Sequence, residues 1–238
     1  MTVPSGLLAL VGGTEFLAGN EPHDHRFVDA VGDGPAYVVA TAAVRQDPDR
    51  AVANARRWFK RLGLAIEELR LRGRRDAKDP PIVEAARASR GFYLCGGDPG
   101  LVVQLLADTP AWDAIAEAWR AGAALAGSSA GAMALGEWTL IRSGMAHQRR
   151  QFKPALGIVP GVAVVPHFEE FGEGWLPSVR GRKADATLLG IDTRTAAVWE
   201  PRRGWRAEGV GRVTVIHGDK RREFAAGDRI RGVPRPTE

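Results

Sequence analysis

Cysteine is almost missing from this chain. Cys95 is the single one in 238 residues, which excludes an internal disulfide and any cysteine-rich zinc site. Long apolar runs are missing too: no uncharged stretch could cross a bilayer, so no spanning helix is expected. The stretch from Met1 to Val11 is apolar but has no basic lead-in and no small-residue cleavage site. It reads as a first buried strand rather than an export signal. The expected compartment is therefore the reducing cytoplasm. Lysine is scarce, limited to Lys60, Lys78, Lys153, Lys183 and Lys220, so arginine supplies most of the formal net charge of +5. The arginines are scattered among acids, as in Arg70 to Asp79 and Lys220 to Arg229, with no aromatic-interleaved basic stripe. Neither nucleic acid nor a membrane is an expected partner.

With 45% hydrophobic and 26% charged residues, the chain has the balance of a soluble globule with one substantial core. Short apolar runs alternate with helical patterns in its first half. Leu7 to Val11, Ala36 to Thr41, Ile66 to Leu71, Gly91 to Cys95 and Ala123 to Ala126 read as strands. The continuous apolar character of Ala36 to Thr41 suggests burial on both faces. Between the strands lie helical patterns at Asp47 to Leu62, Pro81 to Ala88, Gly100 to Ala107 and Trp112 to Ala121. Asp47 suits an N-cap, and Pro48 suits the first turn. Such alternation predicts one α/β domain, residues 1–238, with a mostly parallel sheet and helices on both faces. Beyond Trp138, glycine-, proline- and arginine-rich loops separate Val162 to Val165, Ala186 to Ile191, Ala196 to Glu200 and Gly211 to Ile216. The last of these are expected to pair antiparallel at one edge, toward the C-terminus.

Gly127-Ser128-Ser129-Ala130-Gly131 fits G-x-S-x-G between a short apolar strand and the helical run Ala130 to Leu135. Small residues there let a strand turn sharply into a helix and push one side chain, Ser129, out at the sheet's end. A serine nucleophile needs a base. Of the histidines, His167 follows the buried strand Val162 to Val165 directly, at the edge where open α/β sheets gather ligands. His23 and His25 read as polar surface in a loop with no third ligand, so no metal is expected. Gly96-Gly97-Asp98 closes the fourth strand and lets backbone N–H groups turn inward beside the nucleophile. Cys95, inside that strand, reads as a buried structural thiol. A third group should hold the imidazole. Asp192 ends a strand, while Glu169, Glu170 and Glu173 are nearer in sequence. With Asp192 the chain order is Ser, His, Asp, which differs from the α/β-hydrolase order.

These segments together resemble the serine peptidases that include dipeptidase E (aspartyl dipeptidase) and cyanophycinase. The resemblance runs from Val11-Gly12-Gly13 through Cys95-Gly96-Gly97-Asp98 and Gly127 to Ala132, on to Pro166-His167-Phe168, Gly190-Ile191-Asp192 and Ala226-Gly227-Asp228. It implies a fold related to class I glutamine amidotransferases, with serine where those enzymes carry cysteine. By position it implies Ser129 as nucleophile, His167 as general base, and the N–H groups of Gly97 and Ala130 as oxyanion hole. The family's usual third member, a glutamate, falls on Thr193, one residue after Asp192. Arginines that would hold an aspartyl carboxylate soon after the histidine are replaced by Glu169, Glu170 and Glu173. That leaves Asp98, Arg149, Arg150 and Arg180 as substrate-binding candidates. The expectation is a cofactor-free dipeptidase or exopeptidase acting on small peptides as a monomer or homodimer. A catalytically impaired relative that binds a ligand or partner, or a hydrolase of esters or side-chain amides, are the alternatives.

Overall fold

The computed structural model describes residues 5–143, 149–179, 183 and 185–237. In chain order the elements are β1 (Leu8–Val11), α1 (Glu21–Val31), β2 (Ala36–Val39), α2 (Pro48–Arg61), β3 (Glu67–Glu68), α3 (Pro80–Arg87) and β4 (Gly91–Leu94). They continue with α4 (Pro99–Leu106), α5 (Pro110–Arg120), β5 (Ala124–Ser128), α6 (Ala130–Leu135), β6 (Gly136–Arg142), β7 (Arg150–Pro154) and β8 (Val159–Pro166). The last are α7 (Leu176–Val179), β9 (Thr187–Ile191), β10 (Thr195–Glu200), β11 (Gly204–Gly209), β12 (Arg212–His217) and β13 (Lys220–Ala225).

The first sheet has the order β11-β10-β1-β5-β4-β2-β3. Its β1, β5, β4, β2 and β3 run parallel, and the antiparallel pair β10 and β11 extends it beyond β1. Alternation along β1 fixes its two faces. Leu7, Ala9 and Val11 join Phe27 and Val31 of α1 and Val52, Ala55 and Phe59 of α2 in one apolar layer. Leu8 and Leu10 face the other way, toward Val83, Ile115, Trp119 and Met133 from α3, α5 and α6. This is the expected α/β architecture, with the antiparallel strands at one edge.

A second sheet, in the order β13-β12-β9-β8-β6-β7, shares that second apolar layer. Its β8 lies between β6 and β9, parallel to both. The expected edge strands are thus divided between two sheets: Thr195–Glu200 joins the first and Arg212–His217 the second. The segment Ile66 to Leu71 contributes only the two-residue β3. The stretch around His23 is not a surface loop but α1, which buries His23, Asp24, Phe27 and Val31.

Local chemistry sets the helix positions. Asp47 caps α2 through a hydrogen bond from the Arg50 N–H at 3.0 Å, worth about 1 kcal/mol. Pro48 opens the first turn, where its missing N–H has no partner to lose. Val52, Ala55, Trp58 and Phe59 form the inward stripe of α2, and burying each large side chain contributes about 1.5–3 kcal/mol. The indole N–H of Trp58 donates to the Asp24 carboxyl at 2.8 Å and ties α2 to α1.

Candidate active site

Parallel pairing brings three strand ends to one edge of the first sheet. β5 runs between β1 and β4, with Val11 opposite Ser128 and Leu94 opposite Gly127. Whatever follows β1 and β4 therefore gathers around Ser129, the residue after β5. Ser129 stands at the N-cap of α6 with φ 49° and ψ −109°, a backbone conformation that a non-glycine residue holds only when its surroundings enforce it. The enforcement is visible. The Ser129 N–H donates to the Val11 carbonyl and the Ser129 carbonyl accepts from Met133, both at 2.9 Å. A Cβ on Gly127 would lie 2.6 Å from the Gly131 carbonyl carbon, and one on Gly131 only 2.3 Å from the Leu94 carbonyl oxygen. The two glycines of the motif are required because backbone packs on backbone here.

His167 follows β8 directly, with φ 48°. Its N–H donates to the Gly12 carbonyl at 2.8 Å, and its ring lies where a side chain at residue 13 would be. A Cβ on Gly13 would sit 2.2 Å from His167 Nε2. Ser129 and His167 line one cavity of about 520 Å³, together with Gly96, Gly97, Glu15 and Arg50. The Gly97 and Ala130 N–H groups have no acceptor among the described residues. Both are therefore available to an oxygen that develops negative charge.

The other predicted residues divide. Asp192 is not brought to the imidazole: its Oδ2 accepts from the Arg212 N–H at 2.8 Å, at the start of β12. Burial, followed by the proximity of Glu169, pushes the Asp192 carboxyl up. Glu169 is engaged as well, accepting from the Thr193 N–H at 2.9 Å and from the Thr193 hydroxyl. The carboxylate facing His167 is Glu170, whose Oε2 lies 3.6 Å from Nδ1. Nδ1 itself is buried and has no hydrogen-bond partner among the described residues. Phe171 stacks on the imidazole at 4.9 Å. Asp98 caps α4, its Oδ1 accepting from the Gly100 N–H at 2.8 Å, and it does not line the cavity of Ser129. Arg149 is exposed just ahead of β7, and the Arg150 guanidinium lies 4.0 Å over Trp175. Neither lines the cavity of Ser129. Arg180 lies outside the described residues, as does His147. Burial pushes the Cys95 thiol well above its ordinary range, as expected of a structural cysteine.

Sequence reading missed Glu15. Its Oε1 accepts from the Gly96 N–H at 2.8 Å and its Oε2 from the Ser128 hydroxyl at 2.9 Å. It thus ties the loop after β1 to the turns after β4 and β5. The signal was available: Glu15 follows Gly12-Gly13, and the end of β1 had to fall beside the end of β5 if the two were paired in parallel.

A serine at a strand-to-helix turn of the first sheet and a histidine ending a strand of the second line one cavity, beside N–H groups with no acceptor among the described residues, a set suited to a hydrolase. The family model of peptidase family S51 matches residues 7–200. The chain belongs to that family and is a serine-type peptidase. Cyanophycinase from Nostoc sp. is 29% identical over 215 residues, covering 87% of this chain and 72% of its own length. Cyanophycinase from Geminocystis herdmanii is 28% identical over 220 residues, covering 88% and 79%. Among solved structures, a peptidase from an acI-B1 actinobacterium is 30% identical with a TM-score of 0.83, covering 97% of this chain and 98% of its own. A Listeria monocytogenes EGD-e structure described as a peptidase E protein shares the fold at 16% identity and a TM-score of 0.58, covering 95% and 99%.

Proposed function

We propose that this chain hydrolyses short peptides, as an exopeptidase or dipeptidase, through an acyl-enzyme on Ser129. Ser129 Oγ attacks the scissile carbonyl while His167 Nε2 takes its proton and returns it to the leaving amine. Water then attacks the ester, with His167 again as base. The N–H groups of Gly97 and Ala130 receive the oxyanion. Glu170, across from Nδ1, stabilises the imidazolium that forms in each half-reaction. The observation that carries this reading is the forced backbone of Ser129, which commits its hydroxyl to the cavity that His167 also lines. Work in a reducing cytoplasm fits the buried, unlinked Cys95, and a monomer or homodimer is the assembly we expect.

Ser129→Ala in a preparation freed of host peptidases is the test. The variant keeps the far-ultraviolet spectrum and melting temperature of the parent and loses turnover by at least about a thousandfold. Retained peptide hydrolysis would overturn the reading.

A further inference from the structure

The cavity of Ser129 does not end at the catalytic residues. It adjoins a second cavity of about 690 Å³, and Glu15, Phe16, Arg50 and Asn54 line both. Of these, Arg50 and Asn54 belong to α2, and one face of that helix continues along the second cavity through Arg57 and Arg61. Arg50, Asn54, Arg57 and Arg61 follow one another at steps of four, three and four residues, the spacing that aligns side chains along a helix. All three arginines are exposed, and none has an ion-pair partner among the described residues. Elsewhere on α2, Arg56 pairs with Glu67 and Asp49 with Arg72, while Lys60 is exposed outside both cavities. The acids lining the two cavities hydrogen-bond to neutral groups and not to these arginine side chains. Glu15 accepts from Gly96 and Ser128, Glu21 from the Gly19 N–H, and Asp47 from the Arg50 N–H. Arg61 is held over the Trp58 ring at 4.8 Å, which leaves its N–H edges free for a planar anion. Aligned on α2, these arginines form a cationic rail leading away from the nucleophile.

We propose that this rail binds the acidic stretch of an extended peptide substrate, its carboxylates seated on Arg50, Arg57 and Arg61 while the scissile bond lies at Ser129. The proposal rests on the peptidase reading of Ser129 and adds to it a substrate class. The length of the rail excludes a dipeptide from using it fully. Arg50 and Arg61 are separated by about 16 Å along the helix axis, a span that an extended chain covers in about five residues. Acidic residues several positions from the cleaved bond are therefore read, rather than only those beside it.

The test uses the Ser129→Ala protein, which binds without turning over, and a fluorescein-labelled ten-residue peptide rich in aspartate and glutamate. Its comparator carries asparagine and glutamine at the same positions. Anisotropy at low salt is expected to show about tenfold tighter binding of the acidic peptide, with the preference shrinking as salt rises. Arg57→Gln with Arg61→Gln is expected to remove most of that preference. The same charge change away from the rail, Arg120→Gln with Arg235→Gln, leaves it. Equal binding of the two peptides, or a preference that both double variants reduce alike, overturns the proposal. Because binding is read on a protein that cannot turn over, failure here is separate from failure of the serine mechanism, which the activity of the parent enzyme reports.

Discussion

The imidazole of His167 owes its seat to a side chain that is not there. Gly13 holds φ 117°, and a Cβ at that position would lie 2.2 Å from Nε2. Gly13→Ala therefore meets two obstacles, a left-handed backbone and a collision with the proposed base. We expect a stability loss of about 1–3 kcal/mol from the backbone alone. The larger effect falls on kcat, because the ring can avoid the methyl only by leaving its place. Thermal melts and steady-state kinetics on one preparation separate the two, and a variant with unchanged kcat would show that the ring position is not needed. Residue-scale reasoning also explains the fate of the predicted acids. Asp192 follows a strand end, but a strand end does not fix where a carboxylate turns, and this one turns to the Arg212 N–H. Glu169, in the histidine loop, places its carboxylate on the N–H and hydroxyl of Thr193, the position where the family's glutamate was expected.

Elements set the chemistry through what they bury between them. α1 and α2 enclose Asp24, whose carboxyl is pushed up to about 8, chiefly by burial; the Trp58 hydrogen bond opposes the shift, and the charges of Glu15 and Glu21 add to it. His23 is pushed down to about 3 by burial. The signs follow from proton linkage. Between about pH 4 and 8 the native state keeps the Asp24 proton that the unfolded chain has released, so stability falls as pH rises through that window. For His23 the unfolded chain takes up a proton below about pH 6.5 that the native state refuses down to about pH 3, so its contribution is present above 6.5 and fades as pH falls. Asp24→Asn keeps an oxygen for the Trp58 indole and removes the first dependence. Melting temperature measured from pH 4 to 9 is expected to decline less steeply with rising pH in the variant than in the parent. Parallel curves would contradict the buried neutral acid. The same α1 shows where sequence reading stops. Leu7 to Val11 and Gly91 to Cys95 were legible because strands covered on both faces are continuously apolar. Glu21–Val31 was not, because its buried stripe contains His23 and Asp24 in place of apolar residues. Strand β7 escaped for a related reason: as the edge strand of the second sheet, Arg150–Pro154 carries charge and needs no apolar alternation.

At the scale of the whole molecule, two sheets and their helices deliver single residues to one cavity. The first sheet brings the ends of β1, β4 and β5 together, and so Glu15, Gly97 and Ser129. The second contributes β8, and so His167. Ser129, His167 and the glycine turn were readable because each closes an apolar strand with a motif of its own. Glu15 and the arginines of α2 carry no motif of their own: parallel register places Glu15 beside the end of β5, and helical spacing aligns Arg50, Arg57 and Arg61. The measurement that decides most is labelling of the intact protein with a fluorophosphonate, followed by mass spectrometry and peptide mapping. An activated serine gives a single adduct on Ser129 that is absent in Ser129→Ala and formed far more slowly in His167→Ala. No adduct under conditions that label a control serine hydrolase, or an adduct that His167→Ala leaves unchanged, would show that these strands do not assemble a working nucleophile.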